Sequence, residues 1–483
     1  MKKYQEYFKN KKVTMLGLGL LGRGLNDAKF LAEAGADLIV TDLKKSDELK
    51  PTLDKLKKYS PDRMNTSGIR AGKNPSKGRA GIKYVLGEHR LEDFKNRDFI
   101  LKAAGVPLDS IYINEATENK IPVEMDESLF TKLCHELYGK EVTIIGVTGT
   151  RGKTTTTYLI YEMLKDYFSE RKVHLGGNIK GLATLPLIKK VKAGDMVVME
   201  LSSWQLQGFG AAQISPNISV FTNLLPDHLN YYLKVSKNED EAYQKYFEDK
   251  AKIFANKKGE DFLILTTESK KIINERHNGE LKSSVIVADK KQLEGWKFKL
   301  KGEHNVSNIA QAFEVGKILN IPLKNIRKSL ENFKGVEGRL EFIKNYKGIS
   351  IYNDTTSTTP DALHVALKTI FDDLKSRGKI ILVAGGSNKN LDMSQAVEDI
   401  NKYADKVMLL SGTGTETIKQ KVFANKKENA IEASDLKTAV KQALTWAKRG
   451  DVILFSPGFA SFGMFKNEFD RGEQFVKIIK NLK

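Results

Sequence analysis

The sequence predicts an α/β protein built from several modules, each a mostly parallel sheet covered by helices. Short Val/Ile/Leu-rich runs alternate with helical patterns in three separate blocks, the sequence form of strands buried on both faces. The length of 483 residues, with 40% hydrophobic content, suits roughly three packed cores at about 150 residues per domain. No stretch approaches the ~18 apolar residues of a membrane-spanning helix, and the polar, lysine-rich first twelve residues lack the apolar run of a signal peptide.

The first block opens with a strand at 13–16, a glycine turn, a helix near 25–34 and a strand at 37–41. The second has a strand at 142–147, a glycine loop, a helix over about 154–166 and a strand at 196–201. The third holds strands at 349–352, 380–384, 407–410 and 452–455. Turn residues interrupt the pattern at Ile121-Pro122 and across 334–338. The expected modules are therefore 1–122, 123–335 and 336–483.

The net charge of +19 raises nucleic-acid binding, since clustered cations neutralise phosphates. The lysines are instead spread among acidic neighbours, as across 238–258, which reads as a solvated surface that attracts anionic substrates. One segment differs. Between residues 63 and 87, Arg63, Arg70, Lys73, Lys77, Arg79 and Lys83 occur among glycines, which reads as a basic loop, either a tolerated insertion or a phosphate or membrane-surface contact. The single cysteine, Cys134, excludes an internal disulfide, no Cys/His group has zinc spacing, and a reducing cytoplasm is expected.

The strongest chemical signal is the run from Gly146 to Thr157, a glycine-rich loop between an apolar strand and an amphipathic helix. Backbone N–H groups of Gly149, Thr150, Arg151, Gly152 and Thr155 would surround nucleotide phosphates at the helix N-terminus. Lys153 would neutralise terminal phosphate oxygens, and the Thr154 hydroxyl would ligate magnesium. The strict pattern wants glycine where Val147 stands, and Gly149-x-x-Gly152-Lys153-Thr154 satisfies the remainder.

A second glycine turn, Gly17-x-Gly19-x-x-Gly22, follows the first strand, with Asp42 at the end of the next. This is the fingerprint of a Rossmann-type dinucleotide fold. It is compatible with tight packing, with NAD, or with another diphosphate nucleotide such as a UDP-sugar.

Further candidates sit at strand ends. Glu200 closes an apolar strand near the phosphate loop, where a carboxylate can hold magnesium, and Asp227-His228 follows the run 220–225. His228 is equally readable as structural, and Lys250 as a solvated residue of a charged helix. Asn305 and Asn308 share one face of a helix start, suited to capping it or to binding a base.

Taken together the motifs resemble the Mur ligase family of three-domain, ATP-dependent amide ligases. The likeness rests on Thr148–Thr155, with Arg151 in place of the usual asparagine, on Glu-Leu-Ser-Ser-Trp-Gln from Glu200, Asp-His-Leu-Asn-Tyr-Tyr from Asp227, Gly-Glu-His-Asn-Val-Ser-Asn from Gly302 and Gly-Arg-Leu-Glu from Gly338, in family order. Runs at 353–360, 385–392 and 456–472 are similar to those of the members that add glutamate.

The resemblance implies a Rossmann-like first domain that binds UDP-N-acetylmuramoyl-L-alanine through Gly19, Leu20, Leu21, Asp42 and Asn178. It implies a central P-loop-type ATPase domain and a Rossmann-like C-terminal domain for the amino acid, with Thr358, Lys389, Ser461 and Phe462 on the substrate side. Lys153, His228 and Lys250 would be catalytic, and Asn305, Asn308, Arg339 and Asp354 would hold ATP. Thr154, Glu200, His228 and Lys250 would serve two Mg2+ sites, with Lys250 carbamylated. The implied reaction activates a carboxylate as an acyl phosphate for attack by glutamate, in a cytoplasmic monomer of cell-wall synthesis with no nucleic-acid partner.

Overall fold

The computed structural model describes residues 3–20, 22–59, 81–169, 171–375 and 377–482. Among these the strands form three sheets, in two compact units: Met1–Trp296 with Val306–Leu330, and Lys297–Asn305 with Glu331–Lys483. The expected separation into three modules thus appears as three sheets, two of them within one unit.

The first sheet comprises β1 (Lys12–Leu16), β2 (Asp37–Asp42), β3 (Ile82–Leu86), β4 (Phe99–Lys102) and β5 (Val123–Glu124), in the order β3-β2-β1-β4-β5 and parallel throughout. Neighbouring strands leave β1 on both sides, which opens a crevice beyond the carboxyl ends of β1 and β4, the place where such sheets take ligands. Two expectations are corrected. β5 follows the Ile121-Pro122 joint and pairs with β4, so the sheet runs past residue 122. The expected basic loop ends earlier than residue 87, because β3 pairs with β2 from Ile82; the lysine alternation around Lys83 and Tyr84 had hidden a half-buried strand. The remainder of that loop, and Leu21, lie outside the described residues.

The second sheet comprises β6 (Thr143–Thr148), β7 (Val173–Gly177), β8 (Met196–Glu200), β9 (Ile218–Phe221), β10 (Phe262–Leu265) and β11 (Ser284–Val287), ordered β11-β10-β9-β6-β8-β7 and again parallel. Its strands are nearly all apolar because helices cover both faces. β6 is flanked by β8 and β9, so the loop that leaves β6 is bordered by the ends of both.

In the second unit β12 (Glu341–Tyr346), β13 (Ile349–Asn353), β14 (Ile380–Gly385), β15 (Lys406–Leu410), β16 (Ala430–Ala433) and β17 (Val452–Phe455) are ordered β12-β13-β17-β14-β15-β16. β12 is antiparallel to β13 and the other pairings are parallel. Separate apolar clusters lie on the two faces of this sheet.

Candidate active site

The phosphate loop starts where β6 ends and closes where the helix Lys153–Phe168 begins. Two glycines make that path feasible. Gly152 has φ 80°, and a Cβ there would lie 2.5 Å from Asn308 Oδ1; Gly149 has φ 142°, and a Cβ would lie 1.9 Å from Thr222 Oγ1. The end of β9 braces the loop. Asn223 accepts the Thr150 N–H on its carbonyl at 3.0 Å and the Arg151 N–H on Oδ1 at 2.9 Å, while Thr222 Oγ1 donates to the Arg151 carbonyl at 2.6 Å. No side chain caps the helix, so its first-turn N–H groups form an anion-binding end. Lys153 Nζ donates to the Thr150 carbonyl at 2.8 Å, holding its charge beside the loop.

Glu200 ends β8 opposite Val147 of β6 and is buried. Thr154 Oγ1 donates to Glu200 Oε2 at 2.6 Å, and Asn178 Nδ2 donates to Oε1 at 3.2 Å. The sequence-predicted hydroxyl, carboxylate and substrate-side amide therefore meet at one carboxylate.

Lys250 is the residue whose surroundings differ most from a solvated helix position. It lies in the helix Glu239–Ala255 and is only 2% exposed. Nζ donates to the Gly149 carbonyl at 2.8 Å and stands 4.7 Å above the Tyr246 ring. Burial, and next the charge of Lys153, pushes its amine well below the usual lysine range. His228 adopts left-handed φ of 55° at the start of the short helix Leu229–Tyr232; its Nε2 is 3.9 Å from Asp227 Oδ2, and Arg151 Nη1 is 3.8 Å from the same oxygen. Burial also lowers the His228 pKa.

This donor set fits a hard cation. Thr154 and Glu200 supply oxygen ligands beside the phosphate loop, the arrangement by which Mg2+ is held through few protein ligands, water and substrate phosphates. Among the described residues no three His, Cys, Asp or Glu side chains converge as a self-sufficient metal cage. An amine is a poor ligand for Mg2+ beside oxygen donors, whereas a carbamate on Lys250 would add a second oxygen anion to that of Glu200.

In the first sheet Asp42 turns toward its own backbone. Oδ2 accepts the N–H groups of Leu18 and Gly19, both at 2.9 Å, and Oδ1 that of Lys44 at 2.9 Å. A carboxylate thus already occupies two donors that a dinucleotide pyrophosphate would use. Leu20 is exposed. Arg23 donates to the Gly177 carbonyl at 2.9 Å, tying this glycine turn to the segment that carries Asn178.

In the second unit Asp354 follows β13 and is buried. It accepts the Leu340 N–H at 2.9 Å and the Ser456 hydroxyl at 2.8 Å, and burial raises its pKa to about 7. Arg339 sits in the adjacent turn, its N–H donating to the Val336 carbonyl at 3.0 Å. Lys389 Nζ donates to Thr358 Oγ1 at 2.9 Å; Ser461 is buried and Phe462 exposed. The two asparagines of the helix Glu303–Ile318 have different settings: Asn305 Nδ2 donates to the Lys301 carbonyl at 2.6 Å, a local bond at the helix start, whereas Asn308 packs on Gly152. Sequence reasoning missed Thr222 and Asn223, whose only signal was a polar pair at the end of an apolar run, and Arg471, whose guanidinium is fully buried.

A strand, glycine loop and helix carrying lysine, hydroxyl and a strand-end carboxylate on a parallel sheet define a nucleoside-triphosphate-binding α/β protein. Residues 147–293 match the Mur ligase middle domain and residues 338–459 the Mur ligase glutamate ligase domain. Across 98% of both chains, the sequence is 34% identical to the UDP-N-acetylmuramoylalanine–D-glutamate ligase of Borreliella afzelii (strain PKo) and 31% identical to that of Roseiflexus sp. (strain RS-1). In fold it is similar to UDP-N-acetylmuramate-alanine ligase MurC of Thermotoga maritima, with TM-score 0.58 and 18% identity over 98% of this chain and 100% of that one. The MurF ligase of Thermotoga maritima, solved in complex with ADP, gives 0.56 and 17% over 99% and 96%. The chain belongs to the Mur ligase family.

Proposed function

We propose that this chain adds D-glutamate to UDP-N-acetylmuramoyl-L-alanine with consumption of ATP, in peptidoglycan synthesis. The observation that carries the proposal is the likeness along 98% of both chains to ligases of that name, combined with a braced phosphate loop whose Thr154 and Glu200 meet at 2.6 Å. The site of action is proposed to be the cytoplasm, in wall growth and cell division; no described helix is long and apolar enough to cross a membrane.

A carboxylate at neutral pH is a poor electrophile, so the reaction needs activation. The substrate carboxylate oxygen attacks the γ-phosphorus, the bond to the ADP oxygen breaks, and an acyl phosphate forms. The neutral amine of glutamate then adds to the acyl carbon, loses a proton, and expels inorganic phosphate. Lys153 and the helix N-terminus stabilise charge on the transferring phosphoryl group. Bound Mg2+, held by Thr154, Glu200 and a carbamylated Lys250 with His228 nearby, would neutralise phosphate charge.

Gly19, Leu20, Asp42 and Asn178 are assigned to the UDP-substrate side, Leu21 lying outside the described residues. Asn305, Asn308, Arg339 and Asp354 are assigned to ATP, and Thr358, Lys389, Ser461 and Phe462 to glutamate. The protein is proposed to act as a monomer. Phosphate release by the purified chain with UDP-N-acetylmuramoyl-L-alanine, MgATP and either D- or L-glutamate tests the reading. Release dependent on D-glutamate supports it, and release with another amino acid in its place refutes it.

A further inference from the structure

Asp249 precedes Lys250 on the helix Glu239–Ala255, yet neither the phosphate loop nor the substrate-side residues use it. Its carboxylate is buried and fully engaged. Oδ2 accepts Gln207 Nε2 at 2.8 Å and the Tyr232 hydroxyl at 2.9 Å, while Oδ1 pairs with Lys252 Nζ. Gln207 and Tyr232 are themselves 5% and 3% exposed. One carboxylate thus joins three helices: its own, which carries Lys250; Ser203–Ala211, which begins three residues after Glu200; and Leu229–Tyr232, which His228 precedes.

The last of these has most need of an anchor. A helix of four residues completes barely one turn, and one turn fixes more backbone freedom than its hydrogen bonds return. Its placement therefore depends on tertiary contacts, and Tyr232 is its buried residue. The phenol packs against Tyr246, with centroids 5.6 Å apart, and delivers its hydroxyl to Asp249. Charge-assisted bonds of this kind are stronger than neutral ones and are directional, so they fix orientation as well as distance.

We propose that Asp249 is a positioning residue: through Tyr232 and Gln207 it holds the helices that follow His228 and Glu200 in register with Lys250. It touches no reacting atom, and its effect reaches the site through the rigid placement of the side chains that do. This rests on reading Lys250, Glu200 and His228 as reaction-centre residues.

The test compares full-length Asp249→Ala, Asp249→Asn and Tyr232→Phe with the wild type. Hydrogen exchange across residues 229–235 should accelerate at least tenfold in Asp249→Ala and in Tyr232→Phe. The kcat should fall at least tenfold in Asp249→Ala and less in Asp249→Asn, which keeps an acceptor oxygen. KM for MgATP and the calorimetric Kd for MgADP should stay within twofold, because the phosphate loop is braced independently by Thr222 and Asn223. Should Asp249→Ala fail to fold, Tyr232→Phe, which lacks only a hydroxyl, carries the same test. Wild-type exchange and kcat in the folded variants, or loss of MgADP affinity in parallel with kcat, overturns the proposal. A wild-type chain without glutamate-dependent phosphate release refutes the functional reading instead, whatever the exchange rates are.

Discussion

Lys250 donates its amine to the carbonyl of Gly149, at 2.8 Å, across 101 residues of sequence. That bond sets a buried amine against the loop that the triphosphate would occupy. Burial favours the neutral form of this amine, the form that reacts with CO2, and the proposed adduct would be an anion beside the loop.

Replacing Lys250 by alanine should lower kcat by about a hundredfold or more, since the expected carbamate oxygens help to neutralise phosphate charge. Added formate or acetate should restore part of the rate by occupying the vacated space as an anion. Stability should move oppositely. With the amine unmodified, the Lys250 pKa is depressed, so the native state binds fewer protons than the unfolded chain and gains stability as pH rises toward the ordinary lysine value. Lys250→Met should therefore raise the urea midpoint at pH 6. Steady-state rates with and without formate, and urea melts at pH 6 and 9, check both; unchanged kcat contradicts the assigned role.

Gly152 tests the loop's geometry. Alanine there would be strained at φ 80° and would place its Cβ 2.5 Å from Asn308 Oδ1. Gly152→Ala should cost about 1–3 kcal/mol and weaken MgADP binding. Adding Asn308→Ala removes the clash but leaves the strain, so the double variant should recover part of the stability lost. Calorimetry and urea melts on the three variants decide this; a double variant no more stable than Gly152→Ala would assign the whole cost to the backbone.

The phosphate loop was legible in the sequence because its chemistry is local: glycines, lysine and threonine stand adjacent in the chain, between a strand and a helix. Glu200 was legible for the same reason, as a charged residue closing an apolar strand. Lys250 was singled out by the family resemblance alone, because its charged helix reads as solvated until tertiary packing shows which face is covered. The spacing of Asp42 completed a dinucleotide fingerprint without showing where its carboxylate points, and its hydrogen bonds run back to Leu18 and Gly19. β3 escaped notice because Lys83 and its glycine-rich approach resemble a loop. Asn305 and Asn308 share a helix face in sequence, but only the fold separates a local bond at one from packing on the phosphate loop at the other.

Asp354 carries a pH prediction. Burial raises its pKa to about 7 from an ordinary 3.8. Its protonated form thus stabilises the native state, fully so below the unfolded value, and this contribution is lost as pH rises through about 7. Between pH 5 and 7.5 the loss amounts to about 2.5 kcal/mol at ~1.36 kcal/mol per pH unit of differential binding. Asp354→Asn, which cannot ionise and keeps an oxygen for the Leu340 N–H, should remove that slope. Urea melts at the two pH values should show the wild type losing more stability than the variant; parallel losses would place the titration elsewhere.

Arg471 is the last test, and it separates charge from shape. Its buried guanidinium donates from Nη2 to the Thr355 carbonyl at 2.8 Å, from Nη1 to the Phe459 carbonyl at 3.0 Å and from Nε to Thr355 Oγ1 at 3.3 Å. The fork thereby clamps the segment after β13, which carries Asp354 and Thr358, to the segment after β17, which carries Ser461 and Phe462. Lysine keeps a positive charge but gathers its three donors on one nitrogen, so it cannot reproduce the planar spread by which the guanidinium reaches both segments. Methionine fills much of the volume and leaves two buried carbonyls without donors, each worth about 1–3 kcal/mol. Arg471→Met should therefore destabilise the protein by about 3–5 kcal/mol, and Arg471→Lys by somewhat less because of its charge. KM for glutamate should rise in both, because the clamped segments carry Thr358, Ser461 and Phe462, and MgATP affinity should fall with it to the extent that Asp354 is displaced. An Arg471→Lys protein with wild-type stability and wild-type glutamate KM would show that charge alone, and not the planar fork, joins the two segments.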